Sequence, residues 1–288
     1  MRTQELAPAK INLALDILGR RADGYHELRM VMQTVSLCDV ITVEEGGTGF
    51  TLLTGEAFSL PADKVSMEQR AAEAFFAALG VPVPPLTVRL EKNIPAYAGL
   101  GGGSADVAAL LRCLRRLYAA GMPDEALRAI GLTVGSDVPF CVSGGTSLAE
   151  GRGERLTDLP PLPVCQIVLC KPDFGISTPE LFVLADGAVL SKRPDIAGLT
   201  AALQGGELTG VTDRLCNVFE EFLPERYREV FRIKEILLAH GALNAAMSGS
   251  GPTVYGIFES AVEAQRAAEV LKKSYQQTYV AKPVKKLV

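Results

Sequence analysis

Residues Ile94 to Leu117, IPAYAGLGGGSADVAALLRCLRRL, constrain this chain more than any other stretch. Four glycines fall in the five positions from Gly99 to Gly103, and such a run allows backbone turns at positive φ and brings main chain close to a ligand. Ser104 suits a helix N-cap, and Val107, Leu110, Leu111, Leu114 and Leu117 follow at helical spacing. Loop N–H groups and the positive end of that helix then converge on one small volume, which is an anion site and most naturally a polyphosphate site. The Walker pattern requires a lysine after the last glycine, and Ser104 stands there instead. The dinucleotide fingerprint GxGxxG is missed in both registers, at Ser104 and at Asp106. A turn that only caps a helix is the competing reading, but it needs one glycine rather than four.

A chain of 288 residues with 48% hydrophobic and 22% charged residues reads as one large or two modest globular domains. The net charge of −4 lacks the basic excess of a nucleic-acid or membrane-surface binder, and KPVKK (282–286) reads as a short solvated tail. Six cysteines form no CxxC pair, so free intracellular thiols are expected and no metal site. Lys10 and Asn12 interrupt any leader-like start, and no apolar run approaches membrane-spanning length, so a cytoplasmic protein is expected.

Along the chain, Gln4 to Leu18 alternates as a half-buried strand, with Lys10 and Asn12 on its more polar side. Gly19 to Glu27 is a polar loop, and 31–35, 40–44 and 50–53 are short separate strands. A helix is expected over 64–79, with Ala71, Ala74, Phe75 and Ala78 inward and Gly80 ending it. A short helix over 123–130 follows the loop helix, and Asp137 then stands among small and apolar residues, where an Asx turn is its ordinary role. Prolines in LPPLPV (159–164) mark a domain boundary, giving domains 1–158 and 159–288. Beyond it lie a strand at 166–170, helices at 178–184, 196–203, 215–222, 227–240 and 262–273, and a strand at 254–258. A second small-residue loop, AAMSGSGP, spans 245–252. The fold class is α+β, with mixed sheets and helices in two layers.

Three stretches in fixed order, PAKINLALDILGRRADGYHEL, PAYAGLGGGSAD and MSGSGPTVYGIF, resemble the signature motifs of the GHMP small-molecule kinases. GSDVPF and GGTSLAEGRGE extend the resemblance over essentially the whole chain. It implies a two-domain GHMP kinase fold with a cleft between the domains. ATP and Mg²⁺ are implied, the nucleotide lying along Pro95, Ala96, Tyr97, Ala98, Gly99, Leu100, Gly101, Gly102, Gly103, Ser104 and Ala105. Lys10 would face the transferring phosphoryl group and hold Asp137 ionised, while Asp137 orients the acceptor hydroxyl and takes its proton late. The GYHEL stretch narrows the implied acceptor to cytidine diphospho-methylerythritol, phosphorylated on its 2-hydroxyl in the non-mevalonate route to isoprenoid precursors. Asn12, Tyr25, His26, Phe182, Gly249 and Ser250 are its candidate contacts; for Phe182 a plain core position is the competing reading. A kinase for another small alcohol and a non-catalytic sensor on the same fold are the alternatives. Neither nucleic acid nor membrane is expected as a partner, and the chain would act as a monomer or homodimer. The resemblance departs at Tyr97, where the family usually has Gly, at Ala105, often a second Ser, and at Lys64-Val65, where Asn-Leu commonly opens the first long helix.

Overall fold

The computed structural model describes residues 1–55 and 65–287. Its centre is a long antiparallel pair, β1 (Arg2–Arg20) and β2 (His26–Glu45). β3 (Phe50–Thr54), α1 (Met67–Leu79) and β4 (Leu86–Glu91) lead to the glycine loop. After it come α2 (Gly102–Tyr118), α3 (Asp124–Leu132), α4 (Val138–Ser143), β5 (Thr146–Gly151) and β6 (Arg155–Asp158). The second half holds β7 (Gln166–Lys171), α5 (Thr178–Asp186), α6 (Ile196–Gly205), α7 (Leu208–Thr212) and β8 (Cys216–Asn217). It closes with α8 (Glu229–Ala239), β9 (Asn244–Met247), β10 (Val254–Phe258), α9 (Ala261–Lys272) and β11 (Gln277–Ala281). Among the described residues one sheet runs β3-β4-β2-β1-β8, with β5 on the first part of β2 and β6 on β5; the other runs β11-β7-β10-β9. The class is α+β, as the sequence implies.

β1 extends the single strand expected over 4–18, whereas β2 replaces two of the short strands expected, 31–35 and 40–44. Between those two stretches, Cys38 and Asp39 pair with Pro8 and Ala7 of β1, while Ser36 sits at a bulge in the ladder and its N–H donates to Lys282 O instead. The half-buried reading of β1 is also corrected. Ala7 through Ile17 are all buried, because α2 and α4 pack on the strand and β8 pairs along it at Ala14 and Leu15. Lys10 and Asn12 are therefore interior residues rather than members of a solvated side. Register shifts between Pro8 and Lys10 and again between Asn12 and Ala14 isolate the three residues Lys10 to Asn12, and such bulges re-aim side chains near sites.

The first helix is capped by Ser66, whose Oγ accepts the Gln69 N–H at 3.0 Å, and ends at Gly80 with φ +71°. Lys64, the expected helix start and one departure from the family pattern, lies outside the described residues. The buried face is Ala71, Ala72, Phe75 and Phe76; Ala78 is exposed. No α-helix forms over 215–222. Asn217 donates to the carbonyls of Met247 and Gly249 at 2.8 Å each and accepts the Phe219 N–H, competing locally with helix. The result is the short β8 and a 3₁₀ turn, Val218–Phe222. Nor is 282–286 a solvated tail. Val284 N donates to Thr34 O, Leu287 N donates to Ser143 O, and Lys286 pairs with Asp158, so the chain's end returns to the first sheet.

Candidate active site

One cleft of about 1230 Å³ lies between the two sheets' layers, lined by Lys10, the glycine loop, Asp137, Tyr25, His26, Phe182, Gly249 and Ser250. Single ligand pockets commonly reach about 1,000 Å³ at most, so this volume suits two ligands end to end.

At one end the loop presents open donors. The helix starts at Gly102, two residues before the expected Ser104 cap, and its N-cap is Gly101 with no side-chain hydrogen bond. The N–H groups of Gly102, Gly103 and Ser104 thus have no acceptor among the described residues, the first intrahelical bond being Ala105 N to Gly101 O at 2.8 Å. Two glycines are demanded by protein contacts. A Cβ on Gly99 (φ +73°) would stand 2.1 Å from Ser248 O, and one on Gly101 (φ +68°) would stand 2.9 Å from Lys10 Cγ. A Cβ on Gly102 would meet Ile94 and Lys92 rather than open cleft, so at that position glycine serves packing as well as ligand approach. Tyr97 takes φ +51°, is 84% exposed and stands at the cleft's rim.

The two small-residue loops touch. Ser248 Oγ donates to Gly99 O at 3.0 Å and Thr253 N donates to Ala98 O at 3.3 Å. Lys10 lies under this junction: its N–H donates to Leu100 O at 2.9 Å, its Nζ donates to Asn12 Oδ1 at 2.9 Å and stands 3.3 Å from Asp137 Oδ2. Asp137 occupies the N-cap position of α4 without making a capping bond, which leaves its carboxylate for the cleft. Asn12 is held from both sides, its Nδ2 on Met30 Sδ and its backbone carbonyl on Tyr255 Oη at 2.8 Å.

At the other end, the imidazole of His26 stacks on Phe182 with centroids 4.6 Å apart and planes 19° apart, and Phe182 meets Phe219 edge-on. Phe182 is half-buried, packed against the core on one side and lining the cleft on the other. Arg152 lies over the Tyr25 ring at 4.1 Å. His240 sits at its helix end with Nδ1 2.8 Å from Ile236 O.

Sequence reasoning missed three groups here: Lys92, Arg152 and Asp106. Lys92 Nζ bonds both Asp39 and Asp106, the latter at 2.7 Å. Asp39, fully buried, also accepts the N–H of Ile94 at 2.7 Å and so fixes the entry to the loop. Burial pushes the Asp106 carboxyl up to about 8; Lys92 opposes this and Asp39 adds to it. Between the ordinary carboxylate range near about 4 and that value, the folded protein keeps a proton that the unfolded chain has released. Stability therefore falls as pH rises through that window. Asp106→Asn, close in shape to the protonated acid, is expected to raise Tm at pH 9 by several degrees, on the order of 2 °C per kcal/mol. The gain should shrink toward pH 5. A pH-independent difference in thermal melts would contradict a titrating Asp106.

Comparison with known proteins agrees with this geometry. Residues 67–145 match the GHMP kinases N terminal domain and residues 200–277 the GHMP kinases C terminal domain, so the chain is a GHMP kinase. A 4-diphosphocytidyl-2-C-methyl-D-erythritol kinase of Caldicellulosiruptor bescii is 40% identical over 266 residues, 92% of this chain and 93% of that protein. One of Clostridium acetobutylicum is 37% identical over 96% of this chain and 99% of its own. A crystal structure of 4-(cytidine 5'-diphospho)-2C-methyl-D-erythritol kinase superposes with a TM-score of 0.82 at 33% identity, covering 98% and 99% of the two chains. The chain belongs to the 4-diphosphocytidyl-2-C-methyl-D-erythritol kinase family. A homoserine kinase from Cytophaga hutchinsonii, 20% identical with a TM-score of 0.75 over 99% of this chain and 95% of that one, shares the fold. No helix among the described residues is long and apolar enough to cross a membrane.

Proposed function

We propose that this enzyme transfers the γ-phosphoryl group of ATP to the 2-hydroxyl of 4-diphosphocytidyl-2-C-methyl-D-erythritol, in the non-mevalonate route to isoprenoid precursors. The observation that carries the reading is one cleft with open helix donors and the Lys10–Asp137 pair at one end and an aromatic pair at the other. The N–H groups of Gly102, Gly103 and Ser104 bind phosphate oxygens, with the N-terminus of α2 behind them. Lys10 places its charge beside Asp137 and toward the transferring group, and Asn12 keeps that ammonium aimed. Asp137 accepts a hydrogen bond from the acceptor hydroxyl, holds it in line and takes its proton as the new bond forms. Gly249 and Ser250, held by Asn217 and by a 2.6 Å hydroxyl contact between Thr178 and Ser250, close over the acceptor's phosphate-bearing middle. Arg20 and Arg152 supply positive charge along the same wall. Tyr25, His26 and Phe182 receive the cytosine.

Mg²⁺, when bound, would neutralise charge on the polyphosphate, and Asp137 and Ser104 are the side chains at the phosphate end that would hold it. No three His, Cys, Asp or Glu side chains come together as a metal cage among the described residues. Asp137 faces the phosphate end, and a Cβ on Gly135 would stand 3.6 Å from Ser104 Oγ, so carboxylate and hydroxyl share that wall. Such a sparse donor set fits Mg²⁺, which keeps water and substrate oxygens in its shell. We take 1–158 as the ATP-binding domain and 159–288 as its partner, in a cytoplasmic monomer or homodimer whose named site residues all come from one chain.

Assay of the purified protein with ATP, Mg²⁺ and a panel of alcohols tests the reading. The cytidyl acceptor should be turned over, with homoserine, mevalonate and methylerythritol phosphate left untouched; equal turnover of the acceptor lacking its nucleotide would overturn it. Phe182→Ala should raise KM for the cytidyl acceptor about tenfold with little change in kcat, because base stacking is worth on the order of 1–3 kcal/mol and is remote from the reacting hydroxyl.

A further inference from the structure

Phe182 and Asp186 stand four residues apart on α5 and so project from one face of it. Both engage His26, which comes from the other half of the chain. Phe182 covers the imidazole's flat side, and Asp186 Oδ1 lies 2.7 Å from its Nε2. Arg20 Nη1 stands 3.5 Å from the other Asp186 oxygen, so the carboxylate is held from its far side. The imidazole is thus fixed both in plane and in rotation, by a helix that carries no reacting group. An ionised carboxylate only accepts hydrogen bonds, so Nε2 must carry the hydrogen and, in a neutral ring, Nδ1 keeps its lone pair. Among the described residues Nδ1 makes no hydrogen bond, and His26 lines the cleft.

We propose that Asp186 is a positioning residue that determines base specificity by setting the tautomer of His26; this rests on the cytidyl acceptor proposed above. An imidazole with Nε2–H offers an acceptor at Nδ1. That acceptor receives the exocyclic amine of a cytosine and opposes the carbonyl oxygen that uracil has in its place. The opposite tautomer would donate at Nδ1 and favour the uracil edge. Selection against the wrong base therefore comes from a lone pair that finds no donor in it, which costs more than lost stacking area.

The chain has two histidines, and His240 directs its Nδ1 at a backbone carbonyl. The two rings are therefore expected as opposite tautomers, and nitrogen-15 spectra of the imidazoles resolve both without any substrate. His26 should read as Nε2–H in the unmodified protein. Asp186→Leu should let the Nδ1–H form appear beside Nε2–H, and Asp186→Glu should suppress it again. In the same variants, the ratio of kcat/KM for the cytidyl acceptor over its uridyl analogue should fall about tenfold in Asp186→Leu. The change should lie in KM, with kcat held and the ratio recovered in Asp186→Glu. His26 found as Nδ1–H in the unmodified protein would overturn the proposal. So would a shifted tautomer with an unchanged ratio. Failure of the unmodified enzyme to use the cytidyl acceptor at all would instead strike the proposed function, and the spectra would still report whether Asp186 sets the ring.

Discussion

Asp137→Asn is expected to lower kcat by about 10²–10⁴ while leaving the KM values for ATP and acceptor within a few fold. The substitution keeps the side chain's shape and one acceptor oxygen but removes charge and basicity. It also releases Lys10, whose Nζ now has Asp137 at 3.3 Å and Asn12 at 2.9 Å. Lys10→Ala is expected to cost a similar factor, because the buried ammonium then leaves both Asp137 and the phosphoryl charge uncompensated. The double variant should be about as poor as the worse single one, since residues acting as a unit lose their effect together. Multiplied losses in steady-state kinetics would show two independent contributions and break the pair apart.

The second large effect is expected at a residue that carries no functional group. Gly99→Ala places a methyl 2.1 Å from the carbonyl of Ser248, a backbone atom itself held in the opposite loop. The φ of +73° adds about 1–2 kcal/mol for any side chain. Neither loop has a flexible side chain to yield, so the two must separate, and Lys10 loses the roof that its N–H contacts through Leu100. A Tm lowered by several degrees and a kcat/KM for ATP lowered about a hundredfold are expected, a misplacement effect of the kind remote changes produce. Gly103→Ala is the control, because its Cβ would meet only Met67 Sδ at 3.5 Å. Equal thermal losses in both variants would mean that crowding against Ser248 is not the cause.

Much of this was legible in the residues alone. The glycine loop and its helix follow from local pattern, because short-range turn chemistry and 3.6-residue periodicity are written within a few positions, whereas the roles of Lys10 and Asp137 were implied only by the resemblance to GHMP kinases. What lay hidden is tertiary. Alternation placed Lys10 on a polar side, and only the packing of α2 and α4 on the strand reveals an interior lysine. Ser104 has the chemistry of a cap, yet Gly101 caps the helix three residues earlier, in a left-handed conformation that glycine adopts freely. Ser36 to Asp39 read as a break until the partner strand is seen beside them. Asp186 has no motif; its meaning exists only across the 160 residues that separate it from His26. Lys92 offered one faint signal, a lone cation immediately before the loop, and nothing in sequence pairs it with Asp39.

The returning end of the chain has a further consequence. Residues 282–287 bind back to β2 and α4, β8 is a strand of the first sheet supplied by the second half, and the Gly99–Ser248 contact ties the loops. Three such fastenings at separate points resist opening about any single axis. A cavity built in this way recognises its ligands by shape that exists before they arrive. The ordering entropy was spent when the protein folded, so little of the binding energy need go into rearranging walls. ATP and acceptor should then enter in either order, each finding its half of the cleft already formed, and the free and doubly occupied proteins should scatter X-rays with nearly the same radius of gyration.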